Sequence, residues 1–196
     1  IINMKKEDDN GKLNLNTIKT IEFKNVSLSY DKINTILENI NLKIDKPMTI
    51  AIVGKSGSGK TSFVNLIPRF YDLTNGKILI NNIDYREYKL DELRKNISYV
   101  FQEPVILNMT IKDNLMYGLD NVKFEDVKNI CLKLGLNDKI MSLPNDYETL
   151  VSDKTDLLSF GEKQLLSYAR AILKNGDIII LDEVTSNIDL KFEQNI

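Results

Sequence analysis

Thr49-Ile50-Ala51-Ile52-Val53-Gly54-Lys55-Ser56-Gly57-Ser58-Gly59-Lys60-Thr61 runs from an almost wholly apolar pentapeptide into a loop spelled G-x-x-x-x-G-K-[ST]. The pentapeptide predicts a strand covered on both faces, as in a parallel sheet. The apolar positions Phe63, Val64, Leu66 and Ile67 after the loop predict a helix. Strand, glycine-rich loop and helix together form a phosphate cradle. Glycines at 54, 57 and 59 let the backbone turn around an anion, with amide N–H groups pointing inward at a helix N-terminus. Lys55, Ser56 and Ser58 complete the loop, and Ser62 opens the helix beside it. Lys60 brings a point charge to the β- and γ-phosphates, and the Thr61 hydroxyl can take a Mg²⁺ coordination site. A nucleoside triphosphate is the ligand class this spelling selects.

A second apolar run, Ile178-Ile179-Ile180-Leu181, ends in Asp182-Glu183. In open α/β sheets ligands sit beyond the strand C-termini, so both carboxylates are expected to face the phosphates. Asp182 is the candidate for holding Mg²⁺ through water, and Glu183 for polarising the attacking water.

The remaining elements arrange themselves around those two runs. Residues 1–19 are polar and charged and predict a mobile linker. Thr20 to Ile44 alternates apolar and polar residues, as half-buried antiparallel strands do. Another short strand pair is expected around Lys77 to Ile83, after a turn at Asn75-Gly76, and a buried strand at Ile97 to Phe101. From about 102 to 174 the pattern is mostly helical, with Phe124, Val127, Ile130, Cys131 and Leu134 on one face. Ser159-x-x-Glu162 reads as a capping box opening a helix that stops at Lys174-Asn175-Gly176. The same small cap could instead leave N–H groups free for an anion. The class is α/β: a mainly parallel core, an antiparallel N-terminal part and a helical insertion.

Composition narrows the chemistry. The chain has 196 residues, 42% hydrophobic and 28% charged, which fits one ordinary globular domain. Its 26 basic and 28 acidic residues balance to −2, so no bulk field favours nucleic acid and any polyanion site must be local. There is no histidine, which removes Ser-His-Asp and Cys-His catalysis and His-ligated zinc. The single Cys131 excludes an intrachain disulfide framework. No apolar run approaches the ~20 residues a membrane helix needs. The chain opens Ile1-Ile2-Asn3, which reads as a piece of something longer.

Leu158-Ser159-Phe160-Gly161-Glu162 resembles the signature LSGGQ of ATP-binding cassette (ABC) transporters, with Phe160 and Glu162 as departures, and Lys163 to Ala171 is similar to its usual continuation. The resemblance spans about residues 20–196 and implies a P-loop NTPase core with an inserted helical subdomain at about 102–170. It implies ATP and Mg²⁺ as ligands. It places Gln102 as the Q-loop glutamine at Mg²⁺ and the lytic water, Tyr30 as the aromatic that stacks on adenine, and Asp189 of Ser186-Asn187-Ile188-Asp189 as the D-loop acid. It also implies a head-to-tail pair of cassettes. Lys60, Thr61, Gln102, Asp182 and Glu183 would form one half-site, closed by Ser159, Gly161 and Glu162 of the opposite cassette.

Ile67 to Asp72, Phe101 to Pro104, Thr110 to Leu115 and Tyr147 to Val151 resemble exporter versions of those segments. Exporters of this type carry membrane helices N-terminal to the cassette, which implies a membrane-spanning partner domain and a place on the cytoplasmic face of a membrane. Ser152-Asp153-Lys154 departs from the family's Gly-Glu-Arg/Lys, and the family's switch histidine has no counterpart before Ile196. A lost C-terminal segment is the expected reason. The other readings are a cassette that binds nucleotide with little hydrolysis, and a soluble ABC-type ATPase acting on ribosomes or DNA. A guanine-reading Asn-Lys-x-Asp, which a GTPase switch would need, does not occur.

Overall fold

The computed structural model describes residues 7, 9–31, 34–119, 122–152 and 156–182. It divides into two units, Ile1–Ile97 and Ser98–Ile196.

The first unit is built on an antiparallel sheet. Strands β1 (Ile21–Ser29), β2 (Thr35–Ile44), β3 (Asn75–Ile80) and β4 (Ile83–Asp84) lie in the order β2-β1-β3-β4. Phe23 faces Leu42 on one side and Ile78 on the other. Ile21 and Phe23 are buried, then the phase slips and Val26 and Leu28 are buried instead. The slip is a bulge at Asn25, whose φ is 50°. Gly76 lies opposite it at φ +87°, where a Cβ would stand 2.3 Å from the Asn25 carbonyl oxygen. That close approach is why glycine sits there. The turn expected at Asn75-Gly76 is therefore part of β3. The hairpin reverses at Asn81-Asn82, with φ of 51° and 67° and Ile80 paired to Ile83, as a two-residue turn with two left-handed residues requires.

Two short helices, α1 (Lys60–Asn65) and α2 (Leu90–Lys95), belong to this unit. Phe63 of α1 stacks on Phe23 at 4.8 Å between ring centroids, and Leu66 just beyond the helix is fully buried.

Thr49 to Val53 does not form the expected strand. Ile50, Ile52 and Val53 are exposed, Val53 to 88%. A strand exists only through bonds to a neighbour, and no described strand of the first unit pairs with this segment.

Of the N-terminal residues, expected to be mobile, the described ones from Asp9 onward are bonded at several points. Asp9 accepts from the Leu90 amide at the start of α2 at 2.9 Å. The Lys12 and Leu13 amides donate to the Glu87 carbonyl, and the Lys89 amide to that of Leu13. The Asn96 side chain donates to the Leu15 carbonyl, and that of Asn81 to the Thr17 carbonyl. Leu15 is buried.

The second unit contains strands β5 (Ile97–Val100), β6 (Met109–Thr110), β7 (Leu150–Val151) and β8 (Ile178–Leu181). Its helices are α3 (Ile111–Met116), α4 (Phe124–Lys133), α5 (Asn137–Met141) and α6 (Phe160–Lys174). β6 and β7 form a small antiparallel pair. β5 and β8 are neighbours, and they run parallel. The Gly176 amide meets Ser98 Oγ where both begin, and the Asp182 amide meets the Val100 carbonyl where both end. The parallel part of the expected sheet is this pair among the described residues. Ile111 and Leu115 of α3, Val127 and Cys131 of α4, and Leu166 and Ala169 of α6 form one core. The apolar face expected on α4 is thus the buried one. α6 stops where Asn175 turns left-handed at φ 51°. No described helix is long and apolar enough to cross a membrane.

Candidate functional site

The glycine-rich loop keeps its turn although the segment before it is not a strand. Gly57 and Gly59 hold φ of +76° and +88°. A Cβ on Gly59 would press on Leu37 and Ile36 of β2 at 3.1 and 3.2 Å, whereas the space beside Gly57 is open. The Ser58 amide closes the turn on the Lys55 carbonyl at 3.1 Å, and the Phe63 amide begins the helix ladder on Gly59. Lys60 curls back over the loop. Its Nζ donates to the carbonyls of Gly54 at 3.2 Å and Lys55 at 3.3 Å. The ammonium therefore sits at the mouth of an exposed loop with Ser56 and Ser58 on its rim, and Thr61 is exposed beside it. These residues fit a polyphosphate: open space at Gly57, a backbone shaped by glycine and one cation over it.

Tyr30 stands just past the end of β1. Its hydroxyl donates to Ser62 Oγ in α1 at 2.9 Å, and its ring lies 4.7 Å from that of Tyr71 at 59°. The sequence pointed to Tyr30 but not to this partner.

In the second unit Asp182 closes β8 and is buried. Its Oδ2 accepts from the Tyr99 hydroxyl at 3.3 Å. Burial raises the Tyr99 phenol well above the usual range, and the neighbouring Asp182 carboxylate adds to the effect. Gln102 is exposed two residues beyond β5. Glu183 and Asp189 lie outside the described residues. Mg²⁺ takes much of its shell from phosphates and water, so a threonine hydroxyl and an aspartate are donors of the right kind. Among the described residues no group of three or more His, Cys, Asp and Glu is placed to cage a metal.

The capping box at α6 forms as read. Ser159 Oγ accepts from the Glu162 amide at 3.3 Å, and Glu162 Oε2 accepts from the Ser159 amide at 2.7 Å. Lys139 Nζ lies 3.8 Å from the same carboxylate oxygen. Glu162 is thus committed within its own helix start and faced by a cation. A Cβ on Gly161 would meet nothing within 4 Å. Ser159→Ala is expected to lower the stability of the second unit by about 1 kcal/mol, the usual worth of an N-cap hydroxyl. Urea unfolding read at the α6 amides by hydrogen exchange checks it.

Asn114 escaped the sequence reading. It is fully buried in α3 and binds the backbone of residues 107–110 from inside. Asn114 lies inside the exporter-like run Thr110 to Leu115, but nothing local marks it as buried.

Residues 37–186 match the ABC transporter family. The chain is 42% identical over 176 residues to the ATP-dependent lipid A-core flippase of Syntrophus aciditrophicus (strain SB), covering 90% of this chain and 29% of that protein. It is 40% identical over 176 residues to the mitochondrial iron-sulfur clusters transporter ATM1 of Candida glabrata, covering 90% of this chain and 24% of that protein. A solved bacterial Atm1-family ABC exporter with ATP bound superposes with a TM-score of 0.86 at 34% identity, over 95% of this chain and 33% of that one. The chain thus spans a third or less of these relatives. The family match over most of the chain, together with relatives that are about 40% identical to it, shows that the chain belongs to the ABC transporter family.

Proposed function

We propose that the chain binds and hydrolyses ATP as the motor domain of an exporter, at the cytoplasmic face of a membrane and joined to a membrane-spanning domain. The observation that carries this reading is Lys60 Nζ held over the loop at the Gly54 and Lys55 carbonyls. That ammonium is placed to exchange two neutral acceptors for phosphate oxygens, a charge-assisted and stronger pairing. The loop from Gly54 to Gly59 offers its amides, and Thr61 and Asp182 supply donors toward the metal. Mg²⁺, when bound, would supply positive charge against the phosphates. Gln102 and Glu183 orient the attacking water, with Glu183 accepting its proton. Ser159 and Gly161 of a second cassette complete the site. The capping box supports this by fixing the first turn of α6, while Lys139 offsets the Glu162 charge before it meets another cassette's nucleotide. Asp189 takes the role of the D-loop acid. Closing the pair is the ligand-driven motion that would move membrane helices.

ATP turnover measured against protein concentration tests this. The rate per mole of chain is expected to rise with concentration, as a site shared between two copies demands. A rate per mole that stays flat would remove the second cassette from the mechanism.

A further inference from the structure

Tyr30 and Tyr71 are both large rings left in the open, 51% and 43% exposed, yet they are held together at 4.7 Å. An exposed aromatic pair buries little of itself, so something else must fix it. Three sets of bonds do. Thr74 stitches the chain after Tyr71 to the end of β1: its Oγ1 accepts from the Ser29 amide at 2.8 Å and donates to the Ser29 carbonyl at 3.3 Å, and its amide donates to Ser27. Arg94 holds the chain before Tyr71, donating from Nε to the Pro68 carbonyl at 2.9 Å and from Nη2 to that of Arg69 at 3.1 Å. Its guanidinium lies 5.4 Å from the Phe70 ring centroid. Finally, the Tyr30 hydroxyl is tied to Ser62, two residues beyond Lys60. Both rings are thereby keyed to the helix that carries the phosphate loop.

We infer that Tyr71 is a positioning residue for base recognition: its ring sets the tilt of Tyr30, and the pair forms a seat for the flat, uncharged base of the nucleotide whose phosphates the loop holds. This rests on the nucleotide reading above and deepens it. The physics is that of a tilted aromatic contact, whose ring quadrupoles fix an angle between two planes. Without Tyr71, Tyr30 keeps its hydroxyl tether but is free to rotate about it, and each bound base must order the ring anew.

The test compares the full chain with Tyr71→Ala, Tyr71→Phe and Tyr30→Ala, measuring equilibrium binding of Mg²⁺-ATP and of inorganic tripolyphosphate, which lacks a base. Tyr71→Ala is expected to weaken ATP about threefold to tenfold and to leave tripolyphosphate unchanged. Tyr71→Phe, which keeps the ring, is expected to bind ATP within about twofold of the parent. Equal weakening of both ligands by Tyr71→Ala would show that Tyr71 shapes the loop and would overturn the inference. Unchanged ATP affinity in Tyr71→Ala, with Tyr30→Ala impaired, would overturn it while leaving the nucleotide reading intact. A parent chain that binds neither ligand would bring down that reading itself.

Discussion

Lys60→Ala is expected to weaken ATP binding by about thirtyfold to a hundredfold and to leave the fold unchanged. The side chain's bonds to the Gly54 and Lys55 carbonyls lie on an exposed loop, where water can serve those carbonyls as well. Stability is therefore nearly indifferent to it. Bound phosphate is not, because a hydrogen bond involving charged partners is worth about 1.5–3 kcal/mol, and each 1.4 kcal/mol is a factor of ten. Lys60→Arg should not restore affinity, since a planar fork cannot occupy the point between two loop carbonyls that a compact ammonium does. Glu183→Gln is the opposite case: affinity retained, turnover lowered at least about a hundredfold, as removal of a general base does. Calorimetric binding beside phosphate release separates the two. Lys60→Ala with parental affinity would take the loop out of the phosphate site, and Glu183→Gln with parental turnover would take Glu183 out of its role.

What the sequence made legible follows the range of the forces involved. The strands β1 to β4 were readable because alternation and hairpin turns act over a few residues, and so was the capping box, whose partners are three apart. The turn expected at Asn75-Gly76, which the structure makes part of β3, has the same origin. Asn75-Gly76 and Asn81-Asn82 both look like turns locally. Only the bulge at Asn25, some fifty residues away, explains why the first of them is a glycine within a strand. The N-terminal segment looked mobile because its own composition is polar. Its order comes from partners such as Leu90, Glu87 and Asn96, which no local pattern announces. At Thr49–Val53 the error ran the other way. An apolar run states what a segment would gain by burial, but strand formation needs neighbours, and the described strands of its unit pair only with one another. The candidate site shows the same division. The loop was read from its own motif spacing and Tyr30 was singled out only by the family resemblance, whereas the place of Tyr71 depends on the chain being folded back by Arg94 and Thr74.

Asn114→Leu is expected to destabilise the second unit by about 3 kcal/mol, the largest stability loss foreseen for a single side chain here. Asn114 is wholly buried, and its two polar ends are matched to opposite partners. Oδ1 accepts from the Leu107 amide at 2.9 Å, while Nδ2 donates to the carbonyls of Leu107 at 2.9 Å and Thr110 at 3.0 Å. Leucine nearly fills the volume but leaves an amide and two carbonyls without these bonds, and each unsatisfied buried group costs about 1–3 kcal/mol. Asn114→Asp distinguishes polarity from shape. An aspartate keeps the acceptor for Leu107 but turns a carboxylate toward carbonyl oxygens, so its protonated form is the one the site favours. Its folded pKa then lies above the unfolded value. The Asp variant should approach the parent's stability as pH falls below the usual carboxylate range and lose ground as pH rises through the raised folded value. Urea unfolding from pH 4 to pH 8, read by hydrogen exchange at the α3 amides, measures both variants. A loss below about 1 kcal/mol for Asn114→Leu would show that the backbone at 107–110 finds other partners. Under the role proposed for Gln102 the consequence reaches turnover, because residues 102–110 lead from Gln102 to α3 and Asn114 fastens their far end. Arg170 of α6 donates to the Val105 carbonyl in the middle of the same stretch. With Asn114 gone, that stretch keeps the Arg170 anchor but loses its far one, and turnover should fall while affinity at the phosphate loop does not.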